Sequence, residues 1–141
     1  MIQILSGIQN TTAALAAEQT RLDVISENIA NANTSRGVDG KPYQRQTVVF
    51  EAALQQAMNP DGSISTPTLQ ARIEKDSRPP VQIYDPGNPG ADAKGMVSMP
   101  DINIHEEMAD LISASRTFEA NLAVVKNSRA MALQTLAIGK H

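Results

Sequence analysis

The chain of 141 residues contains no cysteine and no tryptophan, and only two tyrosines and two phenylalanines. The absence of cysteine excludes disulfide bonds and thiolate metal sites. The scarcity of aromatic side chains limits the area that a core can bury, since much of the apolar content is alanine. Alanine favours helices and lets them approach closely. The composition therefore predicts a thin core whose folded form is stabilised by neighbouring chains.

Excess positive charge and long apolar runs are also lacking. The 12 Lys and Arg side chains are outnumbered by 15 Asp and Glu, so the net charge is −3 and we expect no nucleic-acid partner. No apolar stretch approaches the roughly 18 residues that span a bilayer. The first residues lack the basic and apolar regions of a cleaved signal peptide. We expect a cytosolic protein, or one exported by a route that leaves no cleaved signal.

A long amphipathic helix is predicted over residues 3–32. Its apolar side chains recur at intervals of seven, with two further members in the flanking line. They are Ile4, Ile8, Leu15, Leu22, Ile25 and Ile29. Sustained spacing of seven is typical of helices that pack in coiled-coil fashion. Because a helix with one apolar face is rarely stable alone, it must pair with the other end of the chain, with other copies, or with both.

A second amphipathic helix is predicted to begin near residue 103, where Asn103 followed by Glu106 fits an N-cap with a returning carboxylate. Its main apolar line is Met108, Leu111, Phe118, Leu122, Val125, Ala132 and Leu136. A second apolar line lies off the first and consists of Val124, Met131 and Ile138. One partner helix covers one line, so we assign the second line to neighbouring subunits.

The two helices are predicted to pair along a seam within the subunit. We expect this seam to consist of Leu15, Leu22, Ile29, Leu111, Phe118, Leu122 and Val125. The predicted fold is therefore mainly α with a small β insert, in which the N- and C-terminal helices form a coiled-coil-like core domain. That domain is discontinuous and comprises residues 1–34 and 101–141, and the insert comprises residues 35–100.

The insert is predicted to hold short strands separated by turns. Strand patterns cover residues 43–50, 70–75, 81–84 and 95–99. The segment from Asp85 to Gly90 contains two prolines and two glycines, which exclude a helix or a central strand. We expect a small β unit with mobile loops, least ordered near residues 55–68.

No arrangement typical of an enzyme stands out. A zinc-binding helix that began at His105 would need a second histidine at the position of Ala109. Ser113 and Ser115 have no marked base, and Lys94 precedes glycine rather than following it as in a phosphate-binding loop. We therefore expect no catalytic residues, no metal site, no cofactor and no small-molecule substrate.

The asparagine-rich segment 28–34 is unusual at the end of a helix, because asparagine competes with the helical backbone. One interpretation is a plain C-terminal stop. Another is a polar stripe of amides that forms hydrogen bonds across subunits. The residues by themselves leave both interpretations open.

The segment 25–34 (Ile-Ser-Glu-Asn-Ile-Ala-Asn-Ala-Asn-Thr) resembles the N-terminal signature of the bacterial flagellar axial proteins, which form the rod and hook. The segment 114–121 (Ala-Ser-Arg-Thr-Phe-Glu-Ala-Asn) is similar to the C-terminal signature of the same family. Segments 39–50 and 84–100 resemble members of that family that build the proximal rod. The resemblance covers most of the chain in order and spacing, except for residues 55–68.

The resemblance implies a structural subunit rather than an enzyme. In this family the terminal helices form the inner core of a hollow helical rod that transmits torque and lines the export channel, and the insert faces outward. The implied partners are other copies, neighbouring rod proteins, a protein that joins the rod to the membrane ring, and the flagellar type III export apparatus. The implied location is the basal body in the periplasm, reached without a cleaved signal. Alternatives are another rod or hook component, or a cell-wall hydrolase that uses Glu106 or Glu107.

The two signature segments supply the candidate assembly residues. These are Asn28, Ile29, Asn31, Asn33, Thr34, Arg116, Phe118, Glu119 and Asn121. We expect the polar members to make contacts near the helix ends, within or between subunits.

Overall fold

The structure is a computed structural model that describes residues 2–53 and 68–138, with no side-chain description for residues 2–9, 52, 53 and 68. In chain order its elements are α1 (Ile2–Ala30), β1 (Gln46–Ala53), β2 (Thr68–Lys75), β3 (Val81–Tyr84), β4 (Met96–Met99) and α2 (Ile104–Ile138). The two terminal helices with short strands between them agree with the predicted class. The side chains of Ile4 and Ile8, and the loop expected to be least ordered up to residue 67, lie outside the described residues.

The two helices pack against each other, with the end of α1 beside the start of α2. The buried face of α1 includes Ala17, Val24 and Ile25, and the residue of α2 with the least exposure is Ala114. Alanines at these positions let the two backbones approach closely. None of the described helices is both long and apolar enough to cross a membrane.

The inward face of α2 differs from the predicted line at two positions. Met108 and Leu136 are 51% and 56% exposed, so their assignment to the inward line was wrong. Glu107 takes the inward position, and each helical residue is rotated by about 100° from its neighbour, which turns Met108 outward. Leu136 is exposed because α2 has 35 residues and α1 only 29, so the end of α2 runs on past its partner.

The predicted seam residues are not the most buried residues of the two helices. All seven are half-buried in the described chain, whereas the fully buried positions of α1 lie one to three residues away. Their role as a continuous coiled-coil-like seam stays a prediction.

The insert contains two antiparallel strand pairs in its described part. β1 pairs with β2 from Gln46 opposite Lys75 to Ala53 opposite Thr68, and this hairpin packs on α1. β3 pairs with β4, with Val81 opposite Met99. β1 begins three residues later than residue 43, where the strand was predicted to start, because Tyr43 is held by the end of α1 instead of a neighbouring strand.

The proline- and glycine-rich turn between β3 and β4 is closed by Asp92. Its Oδ1 accepts hydrogen bonds from the backbone N–H groups of Lys94 and Met96, at 2.8 and 2.9 Å. Gly95 has φ +76°, and a Cβ there would lie 3.0 Å from the Tyr84 ring. Both conditions favour glycine at this position.

The predicted N-cap of α2 is present. Asn103 Oδ1 accepts a hydrogen bond of 3.1 Å from the backbone N–H of His105, and the Asn103 carbonyl accepts one of 3.0 Å from Glu107. The cap fixes where α2 begins and so sets the position of Glu107 in its first turn.

Candidate functional site

A buried polar cluster lies where α1 ends, α2 begins and the β1–β2 hairpin starts and finishes. We call it the junction, and define it by the side chains of Asn28, Tyr43, Arg45, Asp76 and Glu107. These residues come from four separate parts of the chain. The junction therefore joins the two terminal helices to the insert.

Asn28 lies at the centre of the junction and is 1% exposed. Its Oδ1 accepts hydrogen bonds from the Gln46 backbone N–H at 2.9 Å and from the Tyr43 hydroxyl at 3.1 Å. Its Nδ2 donates to the Gln46 carbonyl at 2.8 Å and to Glu107 Oε2 at 3.1 Å. An asparagine amide offers two donors and two acceptor positions, and all four are used here.

Glu107 is equally buried and is neutralised by Arg45. The Arg45 guanidinium reaches Glu107 Oε1 through Nε at 2.7 Å and through Nη2 at 2.6 Å. The other oxygen, Oε2, accepts the bond from Asn28. A buried carboxylate is tolerated when it is paired and hydrogen-bonded in this way.

Arg45 also connects the junction to the end of β2. Its Nη1 lies 3.3 Å from Asp76 Oδ2, and its carbonyl accepts a hydrogen bond of 2.8 Å from the Asp76 backbone N–H. Asp76 in turn binds Arg78 through a backbone bond of 3.1 Å and a side-chain contact of 2.8 Å. Arg78 reaches Asp101 at 3.4 Å, just before α2.

Two groups in the junction have shifted pKa values. The pKa of Asp76 is lowered, first by the backbone N–H of Arg78 and then by its guanidinium, and the same side-chain hydrogen bond raises the pKa of Arg78. The pKa of Tyr43 is raised, first by burial and then by the negative charge of Glu27, with a smaller effect from Glu107. These shifts favour the ionised carboxylate of Asp76, which accepts hydrogen bonds, and the protonated hydroxyl of Tyr43, which donates one.

The chemistry of the junction is that of a structural joint. Its acids are paired with guanidinium groups, and its amide has no free donor or acceptor position. Within residues 2–53 and 68–138, no group of three or more His, Asp or Glu side chains is placed to hold a metal ion. A cleft of about 290 Å³ beside the junction is lined by apolar side chains such as Val24 and Phe50 together with the charged Arg21 and Asp110.

The N-terminal signature residues divide between the junction and the helix end. Asn31 donates to the Glu27 carbonyl at 2.9 Å and accepts a hydrogen bond of 3.2 Å from the Thr34 hydroxyl, which closes the end of α1. Asn33 is exposed and Ile29 is half-buried. Within the subunit, the segment thus supplies a helix stop as well as the buried amide of Asn28.

The C-terminal signature residues lie farther along α2. Arg116 and Glu119 are exposed, and Phe118 and Asn121 are half-buried. The structure does not bring Arg116 or Glu119 into the junction. Their role in assembly stays a prediction.

Sequence reasoning missed Arg45 and the burial of Glu107. Glu107 was named only in the hydrolase alternative, yet it lies on the same helix face as Leu111 and Ala114, at intervals of four and seven. An acid on the apolar face of a helix requires a buried cation. An acid in line with apolar residues of α2 was therefore the sequence feature that indicated a buried cationic partner such as Arg45.

Comparison with known proteins agrees with this arrangement. A family profile described as "Flagella basal body rod protein" matches residues 8–36, which cover most of α1 and its signature. A second profile, "Flagellar basal body rod FlgEFG protein C-terminal", matches residues 93–138, which cover β4 and α2. The class defined by the fold and these matches is that of the flagellar basal-body rod proteins.

Curated relatives give the particular family. Flagellar basal-body rod protein FlgC of Borreliella burgdorferi is 41% identical, over 96% of this chain and 97% of the relative. FlgC of Yersinia enterocolitica is 40% identical over 91% of this chain and 92% of the relative. FlgC of Bacillus subtilis is 33% identical over 92% of this chain and 94% of the relative. The chain belongs to the FlgC family of flagellar basal-body rod proteins.

Proposed function

We propose that the chain is a structural subunit of the bacterial flagellar basal-body rod and that it assembles through its terminal helices. The similarity to rod proteins over nearly the whole chain is the observation that carries this conclusion. The family is one of structural rod proteins, and we expect no enzymatic activity. In this function the helix pair acts as a stiff wall element of a helical shaft that transmits torque and lines the export channel.

The exposed apolar surface of α2 supports a role in assembly. Five large apolar side chains in its last fifteen residues are between 51% and 77% exposed. They are Val124, Met131, Leu133, Leu136 and Ile138. Exposed apolar surface of this kind is typical of a protein–protein interface. The predicted second line, Val124, Met131 and Ile138, is therefore assigned to neighbouring subunits.

The discontinuous core domain and its partners complete the proposal. Residues 1–34 and 101–141 form a coiled-coil-like core, and residues 35–100 form an insert that faces outward. The partners are other copies, neighbouring rod proteins, the protein that joins the rod to the membrane ring, and the flagellar export apparatus. The burial of Glu107 against Arg45 argues against a hydrolase that uses this residue, since it leaves that carboxylate no access to a substrate.

The proposal is tested by rescue of motility in a strain that lacks its own copy of this gene. The wild-type gene restores swimming and complete basal bodies, and the double variant Val124→Asp, Met131→Asp abolishes both because it places charges in the subunit interface. The matched control is Val81→Asp, at an apolar residue of the insert that is 44% exposed and outside the helices. Normal motility of the double variant, at normal protein level, would contradict the proposal.

The same assay tests the signature residues. We expect Asn31→Ala and Arg116→Ala to reduce the number of complete basal bodies. Full motility with either variant would show that the altered residue is not an assembly contact.

A further inference from the structure

A cleft of about 490 Å³ lies between the loop that follows α1 and the β3–β4 hairpin. Three basic side chains line it, Arg36 and Lys41 from the loop and Lys94 from the turn of the hairpin, and all three are exposed. We call it the basic cleft and define it by these three residues. It contains none of the five residues of the junction, so it is a separate site on the insert.

None of these three side chains has an ion-pair partner in the part of the chain that the structure describes. The ion pairs there use four other basic residues, which are Arg21, Arg45, Arg72 and Arg78. Positive charges that line one cleft raise the local potential and attract an anionic group. The three cations of the basic cleft are therefore available to a ligand of negative charge.

The acids next to the basic cleft are bound by backbone groups. Asp92 also lines the cleft, and its Oδ1 accepts the hydrogen bonds of 2.8 and 2.9 Å from the backbone N–H groups of Lys94 and Met96. Asp39 Oδ1 accepts one of 3.3 Å from the backbone N–H of Lys41. The lining thus carries three positive side chains and one carboxylate, which is already hydrogen-bonded. The cleft keeps an excess of positive charge.

Closed turns fix the backbone from which both lysines extend. The Gly37 N–H donates a hydrogen bond of 2.7 Å to the Lys41 carbonyl, and Gly40 between them has φ +74°, which favours glycine. Lys94 lies in the turn that Asp92 closes. Because this backbone is already ordered, a ligand that binds here loses little affinity to the ordering of the chain.

An apolar side chain lies between the two basic residues of the loop. Val38 is fully exposed. A free inorganic anion would neutralise the charges of the cleft but would leave Val38 in water. A peptide segment carries carboxylates together with apolar side chains, so it can use both features. The guanidinium of Arg36 also matches the two-oxygen geometry of a carboxylate. These features favour an acidic peptide segment as the ligand.

The shape and charge of the surroundings disfavour an anionic lipid surface. The three basic residues line a cleft, which a planar bilayer cannot enter. The loop and the hairpin also carry the exposed acids Asp39 and Asp85, and the net charge of the chain is −3. Recognition of anionic lipids generally uses clusters of about 4–8 Lys or Arg residues. A narrow protruding segment of a protein fits the cleft better than a membrane does.

We propose that the basic cleft docks an acidic segment of a second protein, with its carboxylates on Arg36, Lys41 and Lys94 and an apolar side chain against Val38. The proposal rests on the function given above and adds the chemistry of one partner. With the insert facing outward, as proposed there, the occupant is a different protein outside the shaft rather than another copy. Charges of opposite sign orient such a partner and speed its association.

Titration with hexaglutamate tests the cleft on the purified full-length chain. Nuclear magnetic resonance of the ¹⁵N-labelled protein should show the largest shift changes at residues 35–42 and 90–98. Binding should weaken with added salt, because salt screens exposed charges. The triple variant Arg36→Gln, Lys41→Gln, Lys94→Gln should bind at least about tenfold more weakly, since it removes three charge pairs.

The matched control is Lys75→Gln, Lys126→Gln, Arg129→Gln, which removes the same number of positive charges at exposed residues outside the cleft. It should bind hexaglutamate as the wild type does. Hexaglutamate that fails to bind, an equal defect in the control, or shift changes centred elsewhere would overturn the site. Equal or tighter binding of inorganic phosphate, or capture of the chain by phosphatidylglycerol vesicles through the same three residues, would overturn the peptide segment as its ligand.

A photo-crosslinking amino acid in place of Val38 tests the occupant in cells of the rescue strain. We expect a cross-link that mass spectrometry locates in an acidic segment of a different protein, and we expect the triple variant in the same background to lose it. The absence of a cross-link, a cross-link to another copy, or one that persists in the triple variant would overturn the proposed occupant. Motility rescue tests the rod function separately, so failure of the cleft would leave that result unchanged.

Discussion

Asn28 makes four hydrogen bonds inside a closed site, and this explains why an asparagine stands there. Aspartate would present an acceptor to the Gln46 carbonyl and to Glu107, where a donor is needed. Alanine would leave the Tyr43 hydroxyl and the Gln46 N–H without their acceptor. A buried group left unpaired costs about 1–3 kcal/mol.

We expect Asn28→Ala to lower the free energy of unfolding by about 3 kcal/mol, and Asn28→Asp by at least as much because it also adds a charge beside Glu107. Urea unfolding followed by circular dichroism measures the difference. The matched control is Asn33→Ala, at an exposed asparagine of the same segment, which should change stability by less than about 0.5 kcal/mol. Equal stability of the wild type and the Asn28 variants would contradict the central position of this amide.

Asp76 makes stability depend on pH in the acid range. Its pKa is lower in the folded chain than the usual 3.8, because Arg78 binds its carboxylate. The folded state therefore binds fewer protons than the unfolded state, so the stabilisation is present above the unfolded pKa and is lost as the pH falls through the folded pKa.

The prediction is that Asp76→Asn flattens the acid side of the stability profile. The free energy of unfolding, measured by urea titration between about pH 5 and pH 2, should fall less steeply in the variant than in wild type. Arg78→Gln keeps the backbone N–H, which is the first cause of the lowered pKa, but removes the guanidinium, which is the second, and should flatten the same region in part. Profiles that run parallel in all three proteins would show that Asp76 does not contribute.

At the scale of elements, α2 has two halves with different surroundings. The first half contains the buried Glu107 and Ala114 and is held by the junction. The second half exposes apolar side chains on more than one side, and its last residues run on past α1. A helix with few buried contacts opens at a low free energy.

Hydrogen exchange should therefore be graded along α2. In dilute solution we expect amides between Glu107 and Ala114 to be protected, and amides from Val124 onward to exchange at least about tenfold faster. Raising the concentration, or assembling the chain into rods, should slow exchange in the second half. Mass spectrometry of peptic fragments measures the exchange rates of both halves in one experiment. Equal, strong protection along the whole helix in a dilute monomer would contradict the need for neighbouring subunits.

The elements themselves were largely predictable from the periodicity of apolar residues and from the capping and turn residues between them. The apolar spacing of sevens, the Asn103 cap and the strand pattern at residues 81–84 all correspond to elements found in the structure. The predicted start of β1 was wrong by three residues, because the long-range hydrogen bond of Tyr43 to Asn28 competes with local strand preference. A contact between residues fifteen positions apart leaves no local signal in the strand itself.

At the scale of the whole molecule, the chain is a thin structure with much uncovered apolar surface. Its fully buried hydrophobic side chains in the described residues are few and small, including two alanines on the helices that pack together, Ala17 and Ala114. Polar contacts at the junction compensate in part for this small core, because they connect both helices to the insert. This construction suits a subunit whose fold is completed by its neighbours, since association stabilises only the folded form.

The candidate assembly residues were only partly accessible to sequence reasoning. The resemblance of the two signature segments pointed to Asn28 and Arg116, but it did not distinguish a buried structural amide from an exposed basic side chain. That distinction depends on which helix face each residue occupies in the packed pair. Asn28 faces α2 and the insert, whereas Arg116 faces away.

The sequence by itself determined the helical ends, the short strands between them and the family, because local periodicity and the signature motifs are properties of neighbouring residues. Tertiary structure alone decided the partners of Asn28 and Glu107. It also decided how far the end of α2 runs on past α1. These features arise from contacts between residues as far as 79 positions apart, and they appear only when the two helices lie side by side.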